Sequence, residues 1–327
     1  MEYTNFAPLA RRASAIGFGC APMGSRYSKR ESLRALAVAY ELGINYFDVA
    51  RAYGHGDAES ILASFIRDKR DHVIVATKFG MEAPRATPAR RLVKAAARRI
   101  FRVIPQLRTA ARRQLGGQFT SRQFDVGGMT RSVEESLRQL KTDRIDVLLV
   151  HDCTLEAISD DGLFVALEQL VSAGKVLSLG ISGDRVVVEA GVRRRAQVSV
   201  AQFHHDLFEP SLNETLRSSE RLASVAFHPF GGETGVHRLR HVIRHVRSDA
   251  ATPNELRRKL RASTEDEIIS AVSLSGAWMH SGISVVLTTM FSPSHIEANA
   301  RAIGSTMFTD IELAQFREVA RNSFRES

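Results

Sequence analysis

Residues 44–54 read INYFDVARAYG, a short apolar run that ends on an aspartate, Asp48, and is followed five residues later by a tyrosine, Tyr53. Two further runs close in the same way. VIVATKFG at 73–80 carries Lys78 at its end, and RIDVLLVHD at 144–152 carries His151. Around them short β-rich runs alternate with amphipathic helical runs, the pattern of a parallel sheet with helical crossovers. Candidate strands fall at 14–18, 44–48, 73–78, 145–150, 176–181, 197–202, 223–227 and 283–288. Several, such as DVLLV and SVVLT, are nearly continuous apolar, as expected when both sheet faces are covered. Eight βα units close naturally into an α/β (β/α)8 TIM barrel, whose functional side chains stand at the C-terminal ends of the strands. Asp48, Tyr53, Lys78 and His151 lie at such ends.

Helix signals agree with that frame. Ser28 and Glu31 have capping-box spacing before SLRALAVAYELG, and Gly43 is placed to close that helix. Thr309 and Glu312 repeat the box near the C-terminus, Ser292–Pro293 reads as an N-cap and first-turn proline, and a helix is expected at 129–140. The N-terminal segment MEYTNFAPLARRASAIGFGC lacks a signal-peptide core and is expected to enter the first strand directly. Residues 1–327 are read as one barrel domain.

The four strand-end residues suit proton delivery to a carbonyl oxygen while a hydride reaches the carbon. A free tyrosine, with a pKa of about 10, is a weak acid at neutral pH. A lysine ammonium beside the phenol favours the phenolate, a carboxylate holds that ammonium in place, and a histidine can orient the substrate oxygen. Singly, each residue has a structural explanation such as an ion pair or a satisfied strand-end histidine. The four in order on separate strands favour the chemical one.

The chain resembles the aldo-keto reductase superfamily over most of its length. GFGCAPMG at 17–24 is similar to the family's first strand and turn, and GINYFDVARAYG to its most recognisable signature. GKVLSLGIS, VAQFHHDLF, AFHPFGG and SPSHIEANARAI resemble later cofactor-side segments in the family's order. The resemblance implies an NAD(P)-dependent oxidoreductase interconverting a carbonyl (aldehyde, ketone or aldose) and an alcohol, with a small-molecule substrate. Tyr53 would be the general acid, Lys78 would lower its pKa, Asp48 would anchor Lys78, and His151 would position the carbonyl. Two other readings stand beside it: an aldose 1-dehydrogenase, suggested by GFGCAPMG, and a non-turnover NAD(P)-binding regulatory subunit.

No GxGxxG follows a strand, so a Rossmann-type site is not indicated. By resemblance Ser182 and Gln202 would bond the nicotinamide carboxamide and Phe227 would stack on its ring. Gly183 stands where the family commonly has asparagine. In the segment matching the adenosine-phosphate site the chain has Thr289, Met290, His295 and Asn299, which keeps the adenine-side asparagine but lacks the fixed cations that pair best with a 2′-phosphate. The implied cofactor is therefore NADP(H) or NAD(H), with the preference open.

Two stretches interrupt the alternation. Residues 84–123 carry eleven Arg and Lys and no Asp or Glu, which exceeds the net charge of +9 for the whole chain and leaves the remainder slightly acidic. This segment is expected to be a basic helical insertion after the third strand, docked as a lid, with peripheral membrane contact as an alternative. Its only aromatics are Phe101 and Phe119, too few for base stacking, so no nucleic-acid partner is expected. The second stretch, about 231–263, would by resemblance be a loop over the cofactor with Gly231 near the pyrophosphate, and a solvated basic face is the equal alternative. Within it His237, His241 and His245 share a helical face, but three arginines on the same turns oppose a dication and no metal is expected. Two cysteines, Cys20 and Cys153, cannot build a disulfide framework, and no apolar run is long enough to span a bilayer. Cys153 is read as a buried inert thiol near the mouth, and the protein as cytoplasmic.

Overall fold

Side-chain alternation along the strands separates two layers of core. Tyr46, Ile74, Ala76, Val147, Leu149, Val200, Val225, Val285 and Leu287 face one another in one buried cluster. Their neighbours Phe47, Val75, Leu148, Val150, Ile181, Ala201 and Val286 belong to another, shared with helix residues Leu36, Leu62, Val133, Leu167 and Val188. A strand that buries both faces must be apolar at successive positions, which is why these runs read as continuous.

The computed structural model describes residues 1–81, 122–209, 212–248, 252–278, 282–305 and 307–322. Strands β1 (Tyr3–Phe6) and β2 (Arg11–Ser14) form an antiparallel hairpin. The parallel strands that follow are β3 (Ile16–Gly19), β4 (Tyr46–Asp48), β5 (Ile74–Phe79), β6 (Ile145–His151), β7 (Val176–Gly183), β8 (Val198–His204), β9 (Ala223–Phe227) and β10 (Val285–Thr288). They close in sequence order, with β10 pairing both β9 and β3. The eight-strand (β/α)8 barrel expected from the sequence is therefore present, each strand within a few residues of its expected place.

Helices α1 (Lys29–Glu41), α2 (Ala58–Ile66), α3 (Val126–Leu140), α4 (Leu155–Ser159), α5 (Asp161–Ser172) and α6 (Arg185–Arg194) occupy the connections from β3 to β8. The Ser28 box forms in both directions, Ser28 Oγ accepting the Glu31 N–H and Glu31 accepting the Ser28 N–H. Gly43 turns the chain out of α1 at φ 90°. Asp125 caps α3 by accepting the Gly128 N–H at 2.8 Å. The connection from β8 to β9 has no helix among the described residues. Beyond β9 lie α7 (Gly232–Ser248), α8 (Asn254–Ala262) and α9 (Glu265–Trp278), and β10 is followed by α10 (Pro293–Ala302) and α11 (Asp310–Asn322). The Thr309–Glu312 box caps α11, whereas Ser292 makes no capping bond and its hydroxyl lies 2.8 Å from that of Ser294.

Two expectations are corrected. The chain does not enter the first barrel strand directly, because the β1–β2 hairpin precedes it and seats Phe6 under the barrel with its ring 5.6 Å from that of Tyr46. Residues 231–263 are not a loop: α7 and α8 fill most of that stretch and bury Leu239, Val242, Val246, Leu256 and Leu260 against Leu207, Ile268, Val272 and Phe316. Apolar residues at helical spacing within the arginine-rich run supply that second core.

Residues 82–121, nearly all of the basic insertion, lie outside the described residues. Its flanks meet at the mouth, where Met81 bridges Arg122 and Gln123 N–H donates to Gly80 O at 2.9 Å. No described helix is long and apolar enough to cross a membrane.

Candidate active site

The barrel gathers the strand-end residues at one mouth. Asp48 ends β4, Lys78 stands one residue before the end of β5, and His151 ends β6. Lys78 Nζ donates to Asp48 Oδ1 at 2.5 Å, to the Val49 carbonyl at 3.2 Å and to Tyr53 Oη at 3.3 Å. The ring of His151 meets that of Tyr53 edge-on, with centroids 5.8 Å apart. All four predicted residues are thus brought together.

Tyr53 reaches this position on the segment after β4. The Val49 N–H donates to the Ala76 carbonyl at 2.8 Å, and the Tyr53 N–H to the Ala50 carbonyl at 3.0 Å. Gly54 then takes φ 60°, and a Cβ there would lie 2.0 Å from the Met23 carbonyl oxygen, so only glycine allows the loop to pass this close.

Burial and charge compete at these groups. Lys78 loses hydration, which favours its neutral form, but Asp48 and then Tyr53 outweigh that loss and its pKa is raised. Tyr53 is raised above its ordinary value because burial outweighs the lowering by Lys78, with Asp48 pushing the same way as burial. Lys78 therefore acts on Tyr53 in the expected direction without setting the net sign. His151 is pushed down to about 3 by burial and then by the Lys78 charge, so its imidazole is neutral at physiological pH. Its Nδ1 is buried with no hydrogen-bond partner among the described residues.

The expected cofactor side is partly engaged by the protein itself. Ser182 Oγ donates to Gln202 Oε1 at 2.6 Å, and Gln202 Nε2 donates to Asp48 Oδ2 at 2.8 Å. A chain of bonds therefore runs Ser182–Gln202–Asp48–Lys78–Tyr53 across the mouth, a link from Gln202 to Asp48 that strand reading alone did not disclose. Gln202 keeps one amide hydrogen and Ser182 its oxygen lone pairs for a further partner. Phe227, at the end of β9, is partly exposed. Gly183 has φ 155°, and a Cβ there would approach the Cys153 nitrogen at 3.2 Å, so an asparagine is disfavoured at that position. At Gly231, φ is 64° and a Cβ would lie 2.8 Å from Asp206 Oδ2; the glycine is required by this contact within the protein.

At the other end of the expected cofactor site, Thr289 is exposed and Met290 is buried. Thr288 Oγ1 lies 3.1 Å from the Met290 sulfur, and Asn299 Nδ2 lies 3.7 Å from it. Asn299 also accepts from Ser270 Oγ at 3.4 Å, while His295 is exposed on α10. The histidines 237, 241 and 245 lie on α7, and among the described residues no group of three or more metal-ligating side chains is assembled.

Sequence reading missed two polar groupings near the mouth. His204, two residues beyond Gln202 on β8, pairs with Asp206 at 3.4 Å and faces His228 with ring centroids 5.9 Å apart. Glu59 is buried beside the Tyr53 loop. The signal for the first was the period-2 step from Gln202 to His204, and for the second a carboxylate six residues after Tyr53 at the start of a helix. Cys153 is buried and its thiol is pushed up to about 12 by burial, as expected of an inert cysteine.

Comparison with known proteins agrees with the barrel fold. An aldo-keto reductase from Klebsiella pneumoniae, solved in complex with NADP and acetate, is similar with TM-score 0.67 and 20% identity, covering 98% of this chain and 96% of that one. The aldo-keto reductase AKR11C1 of Bacillus halodurans, in its holo form, gives TM-score 0.66 at 20% identity, with 98% and 96% covered. Among curated sequences, aldo-keto reductase YhdN of Bacillus subtilis is 27% identical over 66% of this chain and 57% of its own length. D-threo-aldose 1-dehydrogenase of a Pseudomonas species is 33% identical over 51% and 49%. The chain thus spans between about half and three fifths of the length of these curated relatives. The sequence profile of the aldo/keto reductase family matches residues 15–321. Because that match takes in every strand of the barrel, the chain belongs to the aldo/keto reductase family.

Proposed function

We propose that the protein is an NAD(P)-dependent oxidoreductase that interconverts a carbonyl and an alcohol, with Tyr53 as the proton donor in reduction. The observation that carries this is Lys78 Nζ at 3.3 Å from Tyr53 Oη, with Asp48 2.5 Å behind the lysine. A Tyr53 held above its ordinary pKa is fully protonated at neutral pH and has the proton to give. As that proton leaves, Lys78, kept charged by Asp48, stabilises the phenolate. Neutral His151 can donate a hydrogen bond to the carbonyl oxygen without competing as an acid.

The nicotinamide supplies the hydride in such a reaction. The residues present fit its carboxamide end: Gln202 has an amide hydrogen to spare, Ser182 can accept, and Phe227 offers a ring face at the mouth. The phosphate end fits less well, because Thr289 and Met290 supply no fixed cation and Asn299 is engaged with Ser270 and Met290. Weak discrimination between NADPH and NADH follows. The likeness to D-threo-aldose 1-dehydrogenase, at 33% identity, supports sugar oxidation as a second reading. Cys20 and Cys153 are both buried free thiols, which supports a reducing, cytoplasmic compartment.

The test is a cofactor-consumption screen, with NADH and NADPH over aliphatic and aryl aldehydes and ketones, and with NAD⁺ and NADP⁺ over aldoses. Turnover is expected on at least one carbonyl or sugar, with the two cofactors differing by less than about tenfold in kcat/KM. Tight cofactor binding without turnover across the panel would favour a non-catalytic NAD(P)-binding subunit and remove the enzyme reading.

A further inference from the structure

Beside the loop that carries Tyr53, a buried carboxylate joins that loop to the strand that carries the lysine. Glu59, the second residue of α2, is only 1% exposed. Its Oε1 accepts from Thr77 Oγ1 at 2.7 Å and its Oε2 from Arg51 Nη1 at 3.1 Å. Thr77 directly precedes Lys78 on β5, so the two side chains point to opposite faces of the sheet. Arg51 lies two residues before Tyr53, within the loop. A buried carboxylate with both oxygens engaged, one by a cation, holds its partners far more firmly than an exposed pair does.

We propose that Arg51, Glu59 and Thr77 form a positioning brace that sets the separation of Tyr53 from Lys78, making all three positioning residues for the proton transfer. The proposal rests on the assignment of Tyr53 as the proton donor. Backbone contacts fix Val49 against Ala76 and Tyr53 against Ala50, and among the described residues Arg51 is joined to β5 through Glu59 and Thr77. Both ends of the brace are close in sequence to the two atoms whose distance matters. Loosening it lengthens the contact between the ammonium and the phenol and weakens the one interaction that favours the phenolate. The charged and titratable groups around Tyr53 are Lys78 from β5, Asp48 from β4, Cys20 after β3 and His151 from β6, and none of them belongs to the brace.

The experiment compares Arg51→Gln, Thr77→Val and Glu59→Gln with two conservative variants, Arg51→Lys and Thr77→Ser, in the full chain. Two quantities are read: steady-state kcat and KM on a substrate of the wild-type protein, and ionisation of Tyr53 by phenolate absorbance as the difference from the same variant carrying Tyr53→Phe. The disrupting variants should lower kcat by about 10- to 100-fold with KM nearly unchanged, the scale of a misplacement of about 1 Å. Tyr53 should titrate at higher pH in each, and Arg51→Lys and Thr77→Ser should recover most of both. Should Glu59→Gln not fold, partly exposed Arg51 carries the test. Folded Arg51→Gln and Thr77→Val proteins with an unmoved Tyr53 titration overturn the brace, whether kcat falls or stays. The absorbance titration needs no turnover, so a wild-type protein inactive on every substrate removes the function without deciding the brace's effect on Tyr53, which the titration still reads.

Discussion

At the scale of single residues, burial decides the protonation of two histidines. His151 and His205 are both held neutral, pushed down to about 3 and about 4, each with burial as the main cause. For His205 the guanidinium groups of Arg185 and Arg317 add to that push, and its Nδ1 is buried with no hydrogen-bond partner among the described residues. A histidine whose folded pKa lies below its unfolded value of about 6.5 binds more protons when unfolded, so stability is full above that pH and is lost as pH falls toward the folded value. Denaturant unfolding should therefore show stability declining from about pH 6.5 to about pH 4, with His205 alone contributing on the order of 2–3 kcal/mol to the decline. His205→Gln should flatten the slope in that window, and an unchanged slope would contradict the assignment. The quartet at the mouth was legible because Asp48, Lys78 and His151 close strand-like runs and Tyr53 follows one. The bond from Gln202 to Asp48 was not: it crosses the barrel between residues 154 positions apart, and nothing local in either sequence context reports such a contact.

At the scale of elements, the segment from Val49 to Asp57 is the one whose backbone is least replaceable. Gly54 combines φ 60° with the Met23 carbonyl at 2.0 Å from where a Cβ would stand. Gly54→Ala should destabilise the protein by about 1–3 kcal/mol and lower kcat as well, because the displaced backbone carries Tyr53. Ser28→Ala, by contrast, removes the capping box of α1, whose bonds join only Ser28 and Glu31, and should cost about 1 kcal/mol with kcat unchanged. Thermal or denaturant melts beside steady-state kinetics separate the two. Equal effects on kcat would mean that the loop does not position the tyrosine. Capping boxes were readable because they are local chemistry at fixed spacing. The β1–β2 hairpin was not, since YTNF and RRAS are four-residue strands with little alternation, paired through a short helical turn and stabilised by the barrel floor they cover. The helices of 232–262 were hidden by their glycine-rich start and dense arginines, although Leu239, Val242, Ile243 and Val246 keep helical spacing.

At the scale of the whole molecule, closure of the barrel is what turns scattered positions into a site. Asp48 and His151 stand 103 residues apart in sequence and share one mouth because β4, β5 and β6 are consecutive staves with strands in parallel register. The eight-fold alternation was legible throughout, since each buried strand is a compact apolar run bounded by turns. The segment 82–121, which lies outside the described residues, was marked in sequence by its charge. The central claim is that this mouth moves a proton through Tyr53 as the nicotinamide moves a hydride. Tyr53→Phe keeps the ring and removes only the hydroxyl that Lys78 contacts, so it isolates that claim. Measured beside wild type on one substrate, kcat should fall by about two to four orders of magnitude while the dissociation constant for the cofactor, read by fluorescence titration, stays within about threefold. Wild-type turnover in the folded Tyr53→Phe protein would contradict the account.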